Sequence, residues 1–151
     1  MITARYELNT GTPATFARRL AAMFYDVWLL LAVWFFATLV VLPFNYGTAI
    51  APNDPVYSLY LFMVSFFFYA WFWTHGGQTL GMRTWKLRIQ TFDGRKIGWG
   101  HALLRFLVAI PSLALLGAGY LWILVDKDGL SWHDRCSETV IVYLGSATDS
   151  K

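Results

Sequence analysis

The stretch VWLLLAVWFFATLVVLPF, residues 27–44, decides the fold, because it contains no charged residue over eighteen positions. A helix of about 20 residues covers the roughly 30 Å of hydrocarbon in a bilayer. The run is longer than the roughly 7–15 apolar residues of a signal peptide, and no small-residue cleavage site follows it. We therefore predict a retained membrane helix over residues 17–42, closed by Pro43.

Two further apolar blocks follow along the chain. Residues 56–74 contain no charge and many aromatic rings, so they predict a second membrane helix. The third block, residues 102–125, is interrupted by Pro111 and by the pair Gly117 and Gly119. Two arrangements stay open for it, because such a broken segment either crosses the bilayer or enters, turns and returns to the same side.

The composition agrees with a membrane protein. Of 151 residues, 57% are apolar and 14% are charged, whereas about 25% of the residues of a soluble domain are charged. The length allows one domain, which we take as residues 1–151. The single cysteine, Cys136, cannot form an intrachain disulfide, and the basic residues form no dense run, so no nucleic-acid partner is expected.

The region between the second and third blocks is not uniformly apolar but alternates apolar and polar residues. The segment WKLRIQ, residues 85–90, alternates apolar and polar side chains, and Asp93-Gly94 is a hairpin signal. These features predict a β-ribbon over residues 83–99. The tail, residues 132–144, ends in β-branched residues that predict another strand. If the third block re-enters, this strand can pair with the ribbon and cover its open edge.

The basic residues indicate the orientation. The connector over residues 43–55 contains no lysine or arginine, whereas basic residues precede the first helix and follow the second. By the positive-inside rule, the N-terminus and the ribbon are expected in the cytoplasm. The sequence thus predicts an all-α membrane protein with two full transmembrane helices, a third broken hydrophobic segment and a small cytoplasmic β-ribbon.

Asp26 is the most informative single residue, because it lies inside an otherwise apolar helix. A carboxylate near the bilayer centre costs about 2.5–3.5 kcal/mol on insertion scales, so we expect it to be paired, protonated or used. Arg19 shares its helix face but lies seven residues earlier, about 10.5 Å along the axis. A snorkelling arginine would shorten that gap. Arg105, at the opening of the third block, is the expected partner.

Three motifs carry a resemblance to a known family: ARRLAAMFYD (17–26), GGQTLGMR (76–83) and WHDRCSETVIV (132–142). Together they resemble the RDD family of bacterial membrane proteins, which is named for one arginine and two aspartates. The match implies that these are Arg19 (or the adjacent Arg18), Asp26 and Asp134. Further family-typical positions are Gln78, Thr79, Gly81, His133 and Thr139. The pair Ser137-Glu138, where members often have small residues, departs from the family pattern, because Glu138 places a charge beside the motif and argues against a tight backbone contact there.

The resemblance implies a multi-pass protein of the bacterial inner membrane. Transport has been suggested for the family, and some members are linked with cation/proton antiport. One hypothesis is therefore antiport-like exchange of a monovalent cation for a proton at Asp26, in at least a dimer, because two spans and a hairpin enclose little volume. The alternative is a non-transporting scaffold or accessory subunit in which the arginines and aspartates form a structural clasp, that is, an ion-paired cluster that joins helices.

No enzymatic activity is expected, because no nucleophile, base and acid are placed together in the sequence. His133 and Asp134 lack the further ligands that a metal site needs at fixed spacing, so neither a metal nor a cofactor is predicted. The expected partners are the lipid bilayer, a further copy of the chain, and a monovalent cation or proton.

Overall fold

The computed structural model describes residues 11–147 and contains two long helices. Helix α1 covers Phe16–Val41 and continues as a 3-10 turn over Leu42–Asn45, and helix α2 covers Pro55–His75. Asp54 caps α2, because its Oδ1 accepts hydrogen bonds from the first amides of that helix. Both helices are long and apolar enough to cross a membrane, as expected from the sequence.

The exposed surface of α1 is apolar. Its buried side chains are Arg19, Ala22 and Asp26, at the spacing that places residues on one helix face. The large side chains on its other faces are exposed, as at Phe35 and Phe36, which are 62% and 65% accessible. Such a helix, polar toward the protein and apolar outward, suits a hydrocarbon solvent and not water.

Three short strands form one antiparallel sheet. They are β1 (Thr12–Pro13), β2 (Leu87–Thr91) and β3 (Thr139–Tyr143), in the order β1-β3-β2. The expected pairing of the tail strand with the ribbon is confirmed, with Ile89 opposite Ile141. Since β1 precedes α1 and β2 follows α2, the sheet gathers the start of the first helix, the end of the second and the tail at one end of the molecule.

The predicted hairpin over residues 83–99 is wrong in its second strand. Asp93-Gly94 does form a turn, in which Thr91 N–H donates to the carbonyl of Arg95 at 2.9 Å. However, a helix begins at Trp99, so no strand returns along β2. The Asp93-Gly94 signal specifies only a local reversal of the chain. The strand that pairs with β2 is β3, whose β-branched residues favour strand structure. The structure also adds a short helix, α3, over Leu80–Thr84.

The third apolar segment is a bent pair of helices. Helix α4 covers Trp99–Ala114, and α5 covers Ala118–Leu121 and continues as a 3-10 turn over Trp122–Leu124. The segment bends by 107° between the two parts. Pro111 lies within α4, and the break comes at Gly117, where φ is +78°.

Both ends of this bent segment lie at the sheet end of the molecule. Helix α4 follows the turn after β2, and the last helix, α6 (Trp132–Cys136), leads directly into β3. The chain therefore leaves the sheet end through α4 and comes back to it through α6, as in the arrangement that enters, turns and returns.

The packed core lies between the sheet and the adjoining helix ends. Its residues are small or aliphatic, and aromatic side chains from α2, from β3 and from Trp85 after α3 pack against it. The buried members are Ala14, Ala22, Ala70, Met82, Leu87, Ile89, Ile97, Ala102 and Ile141. This end of the molecule also contains the buried charges.

Candidate functional site

Asp134 is held at the start of the short helix α6. Its backbone N–H donates to Ser131 Oγ at 3.2 Å, and its Oδ2 accepts from Ser131 N–H at 3.1 Å. This reciprocal pair is a capping box, which satisfies two amide donors that a helix start leaves free. The carboxylate is completely inaccessible to solvent, and its contact with the Ser131 amide helps to hold its orientation.

Two arginines from different helices converge on this carboxylate. Arg19 Nη1 on α1 donates to Asp134 Oδ2 at 2.7 Å, and Arg105 Nη1 on α4 donates to Oδ1 at 2.5 Å. Arg19 and Arg105 are only 2% and 3% accessible. We call these three residues the Asp134 cluster. It joins α1, α4 and α6 through charge-assisted hydrogen bonds.

Each arginine of the Asp134 cluster has further partners. Arg19 Nε donates to the carbonyl of Ala14 at 3.1 Å, beside the sheet. Arg105 Nη1 also donates to Thr139 Oγ1 at 2.5 Å, and its Cζ lies 5.5 Å from the centre of a Trp73 ring. These contacts extend the cluster to the sheet and to α2, with a cation–π contribution from the ring.

The Asp134 cluster carries an excess positive charge. It contains two guanidinium groups and one carboxylate, and both arginines lower the pKa of Asp134. Burial by itself would raise that pKa, but Arg105 and then Arg19 outweigh it and hold the pKa well below its ordinary value. Asp134 is therefore an anion at neutral pH, and it compensates one of two buried cations.

His133 lies beside the cluster without adding to its charge. Its ring stacks on Tyr120, with centroids 5.7 Å apart and planes 13° from parallel. Burial, helped by the charge of Arg105 and opposed by that of Asp134, lowers the pKa of His133 to about 4. The imidazole is thus neutral at pH 7, and its ring packs against Tyr120.

Asp26 occupies a second buried site on the same face of α1, seven residues after Arg19. Its Oδ2 accepts from Thr79 Oγ1 at 2.5 Å, and its Oδ1 accepts from Gly81 N–H at 3.0 Å. Thr79 Oγ1 also accepts from Met82 N–H and caps α3. We call Asp26, Thr79 and Gly81 the Asp26 site. Its donors are neutral, in contrast to those of Asp134.

Glycine is required at position 81 by close contact. A Cβ there would overlap the carbonyl oxygen of Ala22 and would lie 2.8 Å from Asp26 Oδ1. The absence of a side chain lets α3 approach α1 closely enough for the Gly81 amide to reach the carboxylate.

The expected pairing of Asp26 with Arg105 is wrong. Arg105 contacts Asp134, and within residues 11–147 no ion pair to Asp26 is formed. Arg19 does not contact Asp26 either, because helix side chains lean toward the N-terminus and Arg19 therefore turns to Ala14 and Asp134.

Comparison with known proteins identifies the family. A protein-family model described as the RDD family matches residues 13–138, most of the chain. The chain belongs to the RDD family. The resemblance drawn from the three motifs is thus confirmed. No curated protein and no solved structure matches the chain.

The RDD residues divide between the two buried sites. Arg19 and Asp134 are in the Asp134 cluster, and Asp26 is seven residues beyond Arg19 in a site of its own. Arg18 is only partly buried, and its Cζ lies 3.8 Å from the centre of the Tyr143 ring. Arg19 is therefore the buried arginine of the pair.

The RDD-typical Gln78 and the atypical pair Ser137-Glu138 both lie beside the sheet. Gln78 Nε2 donates to the carbonyl of Leu87 at 2.6 Å, which fixes the end of α2 to β2. Ser137 is buried and donates to the carbonyl of His133 at 2.6 Å, whereas the Glu138 side chain is exposed. The charge of Glu138 therefore points away from the backbone contact that its carbonyl makes with Phe92 N–H.

Sequence reasoning missed Ser131 and the role of Arg105. The spacing Ser131-x-x-Asp134 is a capping-box pattern and could have revealed the serine. No local pattern could have paired Arg105 with Asp134, which lies 29 residues further on. In the part of the chain that the structure describes, no group of three His, Cys, Asp or Glu residues is placed to hold a metal ion.

Proposed function

We propose that this RDD-family chain is a non-transporting membrane scaffold or accessory subunit, in which the Asp134 cluster is a structural clasp. The observation that carries the proposal is the geometry of Asp134, whose two oxygens each accept a hydrogen bond from a different buried arginine. The clasp joins the start of the first membrane helix, the re-entrant segment and the tail. The chain thereby presents its apolar helices and its sheet as one unit to a membrane partner.

The energetics of burial support a structural role. Removing one member of a buried, hydrogen-bonded ion cluster strands a buried charge at a cost of about 3–5 kcal/mol. A carboxylate used for ion exchange must release its partners during each cycle. Asp134 would have to leave two arginines and the Ser131 amide, so its cycle would be energetically unfavourable.

The clasp is tested by hydrogen exchange on the full-length protein in lipid nanodiscs. We expect Asp134→Asn to increase amide exchange in residues 131–143, because α6 and β3 lose their link to Arg19 and Arg105. Exchange within α2 should change little. Equal protection of the tail in the variant and the native protein would contradict the clasp.

A second candidate function is antiport-like exchange of a monovalent cation for a proton, and Asp26 favours it. This carboxylate is 4% accessible, lies on a membrane helix and accepts from neutral donors. A buried anion without a cationic neighbour is suited to bind a proton or a small cation. Enclosing a pathway would require at least two copies, because one chain supplies two long helices and a bent pair.

One flux assay separates the two functions. Full-length protein is reconstituted in vesicles with an internal pH dye, and Na⁺, K⁺ or Li⁺ gradients are imposed. The matched control is Asp54→Asn, because asparagine also caps helices well. Proton movement above that of empty vesicles, lost in Asp26→Asn and kept in Asp54→Asn, would establish exchange. No movement above empty vesicles supports the scaffold.

The proposed location is the inner membrane of a bacterium, with the sheet end in the cytoplasm. The basic residues support this orientation, because those flanking the helices cluster at the sheet end and the connector over residues 43–54 has none. They are Arg18, Arg83, Lys86, Arg88, Arg95 and Lys96.

The single cysteine gives a direct test of this orientation. Cys136 is exposed and lies in α6 at the sheet end. A membrane-impermeant maleimide should label it only after the cells are permeabilised. Labelling in intact cells would reverse the orientation.

A further inference from the structure

A cavity of about 390 Å³ lies where the re-entrant segment ends and the tail begins. This volume is within the range of small-molecule sites, about 300–1,000 Å³. The walls combine two apolar side chains with four charged ones. The lining residues are Trp122, Val125, Asp126, Lys127, Asp128 and Arg135.

The cavity lies at the boundary between apolar and charged surface. Leu124 and Val125, 64% and 76% accessible, belong to the exposed apolar surface of the bent segment. The first charge after it is Asp126. Trp122 is 43% accessible at the same place, and tryptophan rings favour the headgroup layer of a bilayer. The opening therefore lies at the depth of lipid headgroups.

The charges in the cavity are arranged as an acidic part and a separate cation. Arg135 forms an ion pair with Asp126 and a longer one, at 3.4 Å, with Asp128. Asp126 Oδ2 also accepts from Leu130 N–H at 2.9 Å, which holds the carboxylate in place. Two carboxylates thus share one guanidinium, so this part carries an excess negative charge.

Lys127 supplies the separate cation. Its side chain is exposed and forms no ion pair with any residue between 11 and 147. A carboxylate offers about four lone-pair positions, so Asp128 can accept from a further donor besides its present partners. The lining is neutral in sum, but it presents a positive and a negative group within one opening.

We propose that this cavity binds the headgroup of a zwitterionic phospholipid that has a primary ammonium, that is, an ethanolamine phospholipid. Lys127 contacts the phosphate, Asp128 accepts from the ammonium, and Trp122 and Val125 contact the glycerol end of the lipid. An anionic headgroup would satisfy Lys127 but would face the carboxylates without a cation. The proposal goes beyond the scaffold function and does not depend on it.

The test is a lipid titration of delipidated, full-length protein followed by native mass spectrometry. The probes are phosphatidylethanolamine, phosphatidylcholine and phosphatidylglycerol with identical acyl chains. We expect the ethanolamine lipid to bind most tightly. The choline lipid lacks ammonium N–H donors, so we expect its Kd to be about ten-fold higher, the ratio for one charge-assisted hydrogen bond.

Two variants and a control assign the contacts. Lys127→Gln should weaken binding of the ethanolamine lipid by about ten-fold, and Asp128→Asn should reduce its preference over phosphatidylglycerol. Lys96→Gln, at an exposed lysine outside the cavity lining, should bind as the native protein does. An unchanged Kd in Lys127→Gln, or equal Kd values for the three lipids with the native protein, would overturn the proposal. The lipid comparison stands even if a variant folds poorly.

Discussion

Replacing Asp134 with asparagine removes the negative charge that lies between Arg19 and Arg105 while keeping the shape of the side chain. In the native protein, each carboxylate oxygen accepts a guanidinium N–H, at 2.7 Å and 2.5 Å. The amide of asparagine offers one acceptor and one donor, so at least one arginine would face an N–H group. The buried cluster would change from one carboxylate with two cations to two cations alone.

The magnitude follows from the burial of all three groups. Breaking a buried ion pair by removing one partner costs about 3–5 kcal/mol. For a chain of 151 residues, each kcal/mol corresponds to roughly 2–4 °C in Tm. We therefore expect Asp134→Asn to lower the Tm by about 6–20 °C.

The assay is thermal unfolding of the purified full-length protein in detergent, followed by tryptophan fluorescence. The matched control is Asp93→Asn, since Asp93 forms an ion pair with Arg95 in which the side chains are 70% and 77% accessible. Such an exposed pair contributes about 0–1 kcal/mol. The double variant Asp134→Asn/Arg105→Gln should recover part of the lost stability, because it also removes one of the two stranded cations.

Two results would refute this reasoning. A Tm loss in Asp134→Asn no larger than that in Asp93→Asn would mean that the cluster does not stabilise the fold. A double variant as unstable as the single one would mean that the stranded charge of Arg105 is not the cause of the loss.

Three further predictions concern stability in the same assay. Because the pKa of His133 falls from 6.5 to about 4 on folding, unfolding takes up a proton below pH 6.5. The free energy of unfolding should decrease by up to about 3 kcal/mol from pH 6.5 to about pH 4. His133→Phe, which keeps the ring stacking, should abolish this decrease. The same dependence of stability on pH in the variant would contradict the role of His133. Gly81→Ala should cost about 1–3 kcal/mol by overpacking against α1. Gly100→Ala, where nothing lies within 4 Å of the new Cβ, should be neutral or stabilising. Equal effects of the two variants would mean that close packing against α1 does not require glycine at position 81. Thr79→Val should cost about 1–3 kcal/mol, because Asp26 loses a donor and Met82 N–H loses an acceptor. The exposed control Thr84→Val should stay within about 0.5 kcal/mol. A loss of stability confined to the control would reject the Asp26 site as a stabilising contact.

The neutral donors of the Asp26 site are relevant to both candidate functions. The Thr79 hydroxyl and the Gly81 amide hold the carboxylate in one orientation, which serves packing of α3 on α1. The same neutral donors leave the negative charge uncompensated, which serves cation or proton binding. Flux measurements on Asp26→Asn decide between these uses, and stability measurements on Asp134→Asn report on the clasp separately.

The sequence by itself determined the features that depend on local composition. Charge-free runs specified the two long helices, and the β-branched run in the tail specified β3, because hydrocarbon burial and strand preference act residue by residue. The glycines after Pro111 specified a break in the third segment. The resemblance to the RDD family pointed to Arg19 and Asp134. Asp26 was also evident from its apolar surroundings, since a charge in an apolar helix requires a partner.

Only the tertiary structure decided which of these groups meet. Whether Arg105 contacts Asp26 or Asp134 depends on where α6 lies against α4, and residues 29 positions apart leave no periodic signal of that distance. The direction of Arg19 was also open, because either end of its helix face offers a carboxylate. The pairing of β2 with β3 and the return of the bent segment place Asp134 beside both arginines, and the close approach allowed by Gly81 gives Asp26 to Thr79 instead. Local sequence fixes which side chains are costly to bury, whereas packing geometry fixes the partner that offsets each cost.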